Sequence, residues 1–373
     1  MLNVKEKNTK ESRGQCNYKY ITALCIILMF IAFTVKSSIV WADVGKMDIV
    51  NYSYEMYGIP KDASVYAQEN YNTYVEIMKL YQIIDEVDID ECYLGYGYVK
   101  INADEFCNDE IYYYPVIHNN DIIMEISIIG TPDGWSVNAG TEDKEVLNID
   151  LCREGMYAIV IKGGEKCAVK LDTEGCATIK NFIGKYYTIN TVDKVHENVK
   201  ETYTPGFSEK FENRATLKLY NMKGQSKYGM CWAASVATIV NYIKGKNYSA
   251  SYICTMAGIG LSQGANINKK KEVLADYGVT YKKRTRQLTW NEILINIQAK
   301  KPIAVSAFTS KNEGHSLTIY GYVNARGKIQ IVLWDSALNE GSGYFKVIGY
   351  NEKETSYVLD GKRFVWEETL SKK

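Results

Sequence analysis

Two kinds of apolar spacing divide the chain. Between about residues 90 and 170, apolar residues come in short runs rich in Tyr, Ile and Val: CYLGYGYVKI, EIYYYPVIH, DIIMEISIIG and GMYAIVIKGGEKCAVKL. Gly or Asp/Asn clusters separate these runs, the punctuation expected between strands. GTPDGW and KGGEK are turn signals in the same region. One helix is expected over ASVYAQENYNTYVEIMKLYQII. From Cys231 onward the period changes. Val236, Ile239, Val240 and Ile243 recur at helical spacing, and Gly245 supplies a stop. NKKKEVLADYG and LTWNEILINIQAKK continue the helical pattern. PIAVSAF then starts strands, and GYFKVIGY and RFVWEETL are strand-like. The pattern predicts an α+β chain, with a mostly β first half and a second half of helices followed by strands.

Residues 1–42 do not fit either pattern. Lys5, Lys7, Lys10, Arg13 and Lys19 outnumber Glu6 and Glu11, and a 15-residue apolar run, Ile21 to Val35, follows. Val40 and Ala42 then suit a small-residue cleavage rule, so the segment is expected to be a secretory signal peptide. The alternative is an uncleaved signal anchor, for which the run is short, since spanning takes about 20 residues. Either way the protein is expected to be secreted or at the extracellular face of a bacterial membrane.

The remainder divides near residue 205. KETYTPGFSEKFENR is polar, carries Pro205 and Gly206, and has no apolar period, as a linker should. Charge changes sign across it. Residues 43–205 carry 29 acidic and 13 basic residues, a net of −16; residues 206–373 carry 13 acidic and 25 basic, a net of +12. Opposite fields steer association, so the halves are expected to dock. The whole chain has zero formal net charge, which gives no footprint for nucleic acid.

The candidate chemistry lies in the second half, in QSKYGMCWAAS. Cys231 opens an amphipathic helix, where the partial positive charge of the N-terminus favours thiolate. A nucleophilic Cys needs a base, and one His follows it, His315 in EGHSLTIYGYVNARGKIQIVLWDSA. That stretch is predicted to be a hairpin turning at NARGK. A register centred on residue 325 pairs Leu317 with Leu333 and Ile319 with Ile331, and sets His315 opposite Asp335. Directly opposed residues have Cβ atoms about 4.5–5.5 Å apart, so the carboxylate could fix the ring tautomer. Gln225, six residues before Cys231, offers an amide N–H to an oxyanion.

Gln225, Cys231-Trp232, His315 and Asp335 together resemble the papain-like cysteine peptidases. GHSLTIYGY is similar to that family's His strand and LWDSA to its Asn/Asp segment. The short catalytic half and the Asp are closer to compact bacterial branches, the staphopains and bacteriocin-processing peptidases. KYGM replaces the Gly and Cys that precede the papain nucleophile. The resemblance implies a helical lobe and a β-rich lobe with a cleft between them, over roughly residues 215–370. It implies an endopeptidase acting on proteins or peptides through catalytic Cys231, His315, Asp335 and Gln225. It further implies a zymogen: residues 43–205 as a pro-domain and inhibitor, residues 206–373 as the peptidase, and cleavage within about residues 197–216. No cofactor or metal is expected.

Two other readings stay open. YGMCW and the order Cys, His, Asp also suit a transglutaminase-like acyltransferase. A non-catalytic surface protein, binding through the first half, is the other. His118 and His196 stand alone and are expected to be structural or surface residues, not ligands. The spacing of Cys92, Cys107, Cys152, Cys167, Cys176, Cys231 and Cys254 fits no metal framework, and fixes no disulfide pairing.

Overall fold

The computed structural model describes residues 59–170 and 213–372, apart from breaks at 103–108, between 145 and 156 in part, 163–164, 220, 223, 226–228, 326 and 337–342. The expected signal peptide, most of the expected linker, His196, Cys107 and Cys176 lie outside the described residues. No helix among the described residues is long and apolar enough to cross a membrane.

The first half begins with α1 (Lys61–Leu80), which starts directly after Pro60. Proline is suited to a helix start because its missing N–H is not needed there. Ala63, Ala67, Tyr71, Tyr74, Val75 and Met78 form its buried face. The strands are β1 (Tyr93–Leu94), β2 (Lys100–Asn102), β3 (Ile111–His118), β4 (Asp121–Thr131), β5 (Gly134–Gly140), β6 (Tyr157–Lys162) and β7 (Glu165–Lys170). β3 and β4 form a hairpin in which His118 pairs with Asp121 across Asn119 and Asn120. Both asparagines have positive φ, 48° and 65°, the conformation a two-residue hairpin loop needs and asparagine tolerates. β5 was not expected from the sequence: GWSVNAG has little apolar content. Its place is set by the GTPDGW turn, which pairs Thr131 with Gly134.

The second half contains β8 (Asn213–Thr216), α2 (Cys231–Lys244), α3 (Ala250–Met256), α4 (Ile267–Asp276), β9 (Lys282–Arg284) and α5 (Trp290–Gln298). β10 (Ile303–Phe308), β11 (Gly314–Ala325), β12 (Lys328–Asp335), β13 (Tyr344–Gly349), β14 (Ser356–Leu359) and β15 (Lys362–Ser371) follow. α2 begins at Cys231 and ends where Gly245 turns left-handed at φ 63°, the expected stop. The helices, the large antiparallel sheet and their order make an α+β fold consistent with a papain-like domain.

Three observations change the expected picture. First, the expected linker window ends too late. Residues 213–216 form β8, which pairs antiparallel with residues 321–324 of β11. Second, the halves do not meet through exposed fields alone. Strands run β1-β3-β4-β5-β13-β12-β11-β10-β15-β14 in one sheet, joined where Ala139 pairs with Val347 and Asn138 with Ile348. α1 residues share a core cluster with α2, β11 and β12. The Tyr81 hydroxyl donates to the Tyr322 carbonyl at 2.8 Å, and Lys328 Nζ to Asn70 at 3.1 Å. Third, some of the opposite charge is buried at this junction. Lys346 of β13 pairs with Glu142, and its side chain is 3% exposed.

Candidate active site

α2 is tied to β11 behind the site. Ser235 Oγ lies 3.2 Å from the Leu317 carbonyl and 2.9 Å from Thr318 Oγ1. Trp232 is buried and donates from Nε1 to the Gln263 carbonyl at 3.0 Å. The chain enters the helix through Gly229 at φ 90°; a Cβ there would lie 2.7 Å from the Ser262 backbone carbon. These contacts fix Cys231 in the first turn, half-buried and facing a cleft.

β11 carries His315 one residue from its start, and β12 ends with Asp335. The expected register is wrong by two residues here. Asp335 pairs with Leu317 and Leu333 with Ile319; beyond an irregularity at Tyr320, Val332 pairs with Gly321. The irregularity lies where β8 joins: Leu217 N–H donates to the Tyr320 carbonyl at 2.7 Å. A Cβ on Gly321 would lie 2.9 Å from the Ala215 carbonyl oxygen, so only glycine allows that approach. A shift of two keeps parity, so His315 and Asp335 still share a face. His315 Nε2 sits 2.7 Å from Asp335 Oδ1, reached along the diagonal.

The ring's other nitrogen, Nδ1, is left for Cys231, and the two groups act on each other's titration. Burial pushes the Cys231 thiol up, but the His315 hydrogen bond, the ring's charge, the Lys270 ammonium and a backbone bond at Ser316 outweigh it, and the thiol lies below its ordinary value. Burial likewise opposes charge on the ring. Asp335, by charge and hydrogen bond, and Cys231 overcome it and raise His315 to about 10. Both shifts favour the thiolate and imidazolium forms of the pair. Tyr357 stacks on the ring at 5.9 Å between centroids and Phe364 lies at 5.8 Å, shutting water from the His315–Asp335 bond.

Gln225 is buried beside the same strand end. Its N–H donates to the Ser336 carbonyl at 3.2 Å, and its Oε1 accepts from Ser336 Oγ at 2.7 Å. With Oε1 held, the amide NH2 is free to serve as donor. Gln225, Cys231 and His315 line one cleft of about 1000 Å³. Asn102 and Ile161, from the first half, line it too.

Sequence reasoning missed Ser336, Tyr357, Phe364 and Lys270. Lys270 sits in a run of three lysines that reads as a solvated face. Helical spacing from Ile267 to Lys270 to Leu274 was the available signal for burial, and all three are buried. Among the described residues, Cys92, Cys152 and Cys254 are buried free thiols outside the cleft. His118 lies 3.4 Å from Glu91 and away from the cleft. Glu125, Glu142 and Asp143 come close enough to suggest a metal, but Lys100, Lys166 and Lys346 already pair with them.

No curated protein matches the chain. Residues 213–341 match a family model described as papain-like cysteine protease AvrRpt2, a stretch that contains Gln225, Cys231, His315 and Asp335. On that match, joined to this fold, the protein is a cysteine peptidase, a hydrolase of the papain-like type.

Proposed function

We propose that the protein is an exported endopeptidase that cleaves peptide bonds with Cys231 as nucleophile, His315 as base and acid, Asp335 as orienter and Gln225 as oxyanion donor. One observation carries this reading: His315, held at 2.7 Å by Asp335, lines a single cleft with Cys231 and Gln225.

The Cys231 thiolate attacks the scissile carbonyl carbon, forming a C–S bond and an oxyanion. The Gln225 amide and the backbone N–H of Cys231 donate to that oxygen. As the C–N bond breaks, the His315 imidazolium gives its proton to the leaving amine. Neutral His315 then takes a proton from water, the hydroxide displaces the thiolate, and the acid product leaves. Asp335 holds Nε2, so Nδ1 faces the sulfur throughout. The compact catalytic half is similar in extent to the staphopains and bacteriocin-processing peptidases it resembles.

The same reading takes the acidic half as a pro-domain, cut between about residues 197 and 212. Its support is that Asn102 and Ile161 reach the cleft that holds Cys231. Because β5 and α1 share a sheet and a core with the second half, the cut chain is expected to stay assembled. Purified full-length protein should shorten itself in that window and gain activity, and Cys231→Ala should stop both. A full-length enzyme that is as active as the cut one would remove the zymogen part of the reading.

A further inference from the structure

The cleft beside the nucleophile has a buried cation at its floor. Lys270, on α4, is 2% exposed yet lines the cleft with Cys231 and His315. Its Nζ hydrogen-bonds Ser306 Oγ of β10 and, at 2.9 Å, Ser316 Oγ of β11. No carboxylate among the described residues forms an ion pair with it. Glu368, on β15 opposite Ser306, lines the same cleft and is the carboxylate that acts on it. An ammonium has three donors, and two hydroxyls occupy two of them. Cys231 and Glu368 pull on the ammonium, but Glu368 forms no ion pair with it, and a ligand carboxylate in direct contact would offset more of the cost of burial.

Three strands and a helix build this position. Ser306 and Ser316 are directly paired across β10 and β11, so both hydroxyls face one side. Asn266 caps α4 by accepting from Lys269 N–H at 3.0 Å, which fixes the helix's first turn beside the cleft. Burial lowers the Lys270 pKa to about 8, against the pull of Cys231 and Glu368, so at neutral pH it still carries its proton.

We propose that Lys270, with Ser306 and Ser316, forms a subsite that selects an acidic side chain, aspartate or glutamate, in the peptide segment bound beside Cys231. The inference deepens the peptidase reading by naming a substrate class for that cleft, and it rests on that reading. The remaining ammonium N–H meets the side-chain carboxylate in a charge-assisted bond, and the serine hydroxyls orient it. Glu368 sets the upper limit on the preference by opposing a second negative charge. A basic side chain in this subsite meets like charge and is rejected.

The test reads covalent capture at Cys231, which does not require turnover. Peptidyl acyloxymethyl ketones carry glutamate, glutamine, leucine or lysine at the first, second or third residue before the electrophilic carbonyl. The full-length protein is treated with each, and the rate of adduct formation is followed by mass spectrometry. At one of the three positions glutamate is expected to react at least tenfold faster than glutamine, and lysine slowest. Lys270 acts on the thiolate too, so its variants are judged by the glutamate-to-glutamine ratio within each protein. Lys270→Met should bring that ratio near one, Lys270→Arg should keep it, and Glu368→Gln should raise it. Thermal melting confirms that each variant is folded. Equal rates for glutamate and glutamine at all three positions of the wild-type protein would overturn the proposal, whatever the variants do. So would a preference that survives Lys270→Met. Selective capture without hydrolysis of any peptide would instead remove the peptidase reading and leave the acidic subsite standing.

Discussion

His315 Nε2 lies 2.7 Å from Asp335 Oδ1, although the backbone pairs Asp335 with Leu317. The contact is diagonal, made possible because both residues fall on one sheet face. Asp335 is fully buried and His315 nearly so, and Tyr357 and Phe364 cover the ring. A bond so shielded fixes the ring's orientation, and Asp335→Ala should lower kcat by about two to four orders of magnitude. Circular dichroism should show the fold intact. Loss of less than tenfold in kcat would mean that the ring is held by its aromatic neighbours and not by the carboxylate.

Gln225 is held by Ser336, the residue after Asp335, so one strand end positions both polar groups. Gln225→Ala should cost roughly 10²–10³ in kcat with little change in the rate of Cys231 alkylation, because an oxyanion donor acts on the transition state alone. Ser336→Ala should give a smaller loss of the same kind. Equal losses in alkylation and hydrolysis would show that Gln225 supports the thiolate.

The pH dependence of alkylation has a defined sign. Cys231 titrates below its ordinary value, so thiolate appears as pH rises through that lowered value. His315 titrates at about 10, so the imidazolium persists until pH approaches that value. The ion pair fills the window between them. Iodoacetamide should modify Cys231 with a midpoint below the ~8.5 of a free thiol. Cys254, pushed up to about 11 by burial, should stay unreactive through neutral pH. His315→Ala should move the Cys231 midpoint upward. A shared midpoint for Cys231 and Cys254 would contradict the assigned ion pair.

Lys346 tests the junction between the halves. It is buried on β13, pairs with Glu142, donates to the Val358 carbonyl at 3.0 Å and lies over the Tyr357 ring. Burial works against its charge, but Glu142 and Asp335 raise its pKa overall. Glu142→Ala removes the direct partner and should destabilise the protein by about 3 kcal/mol in urea unfolding, since an uncompensated buried charge remains. Adding Lys346→Met should recover most of that loss. A midpoint unmoved by Glu142→Ala would show that the carbonyl and the ring suffice.

Much of this was legible in the sequence. Cys231 at a helix start, Gly245 as the stop, and the two strands around NARGK follow from local periodicity and turn chemistry. The register did not, because it depends on β8, residues far away in the chain that press on Gly321. Lys270 was hidden in a lysine run, where only the apolar residues one turn either side hint at burial. The joined sheet was not legible either. β5 is too polar to announce itself, and the charge split suggested surface attraction where the structure has hydrogen-bonded strands and the buried Glu142–Lys346 pair.

The central claim is that Cys231 forms a covalent acyl-enzyme during peptide hydrolysis. Mixing the active enzyme with an excess of an activated peptide ester, quenching in acid within milliseconds to seconds, and mapping the adduct by mass spectrometry tests this directly. The expected result is an acyl thioester on Cys231 that forms and decays at the turnover rate, accumulates when water attack is slowed, and is absent in Cys231→Ala. Hydrolysis that proceeds with no adduct on Cys231, or that persists in Cys231→Ala, would contradict the account.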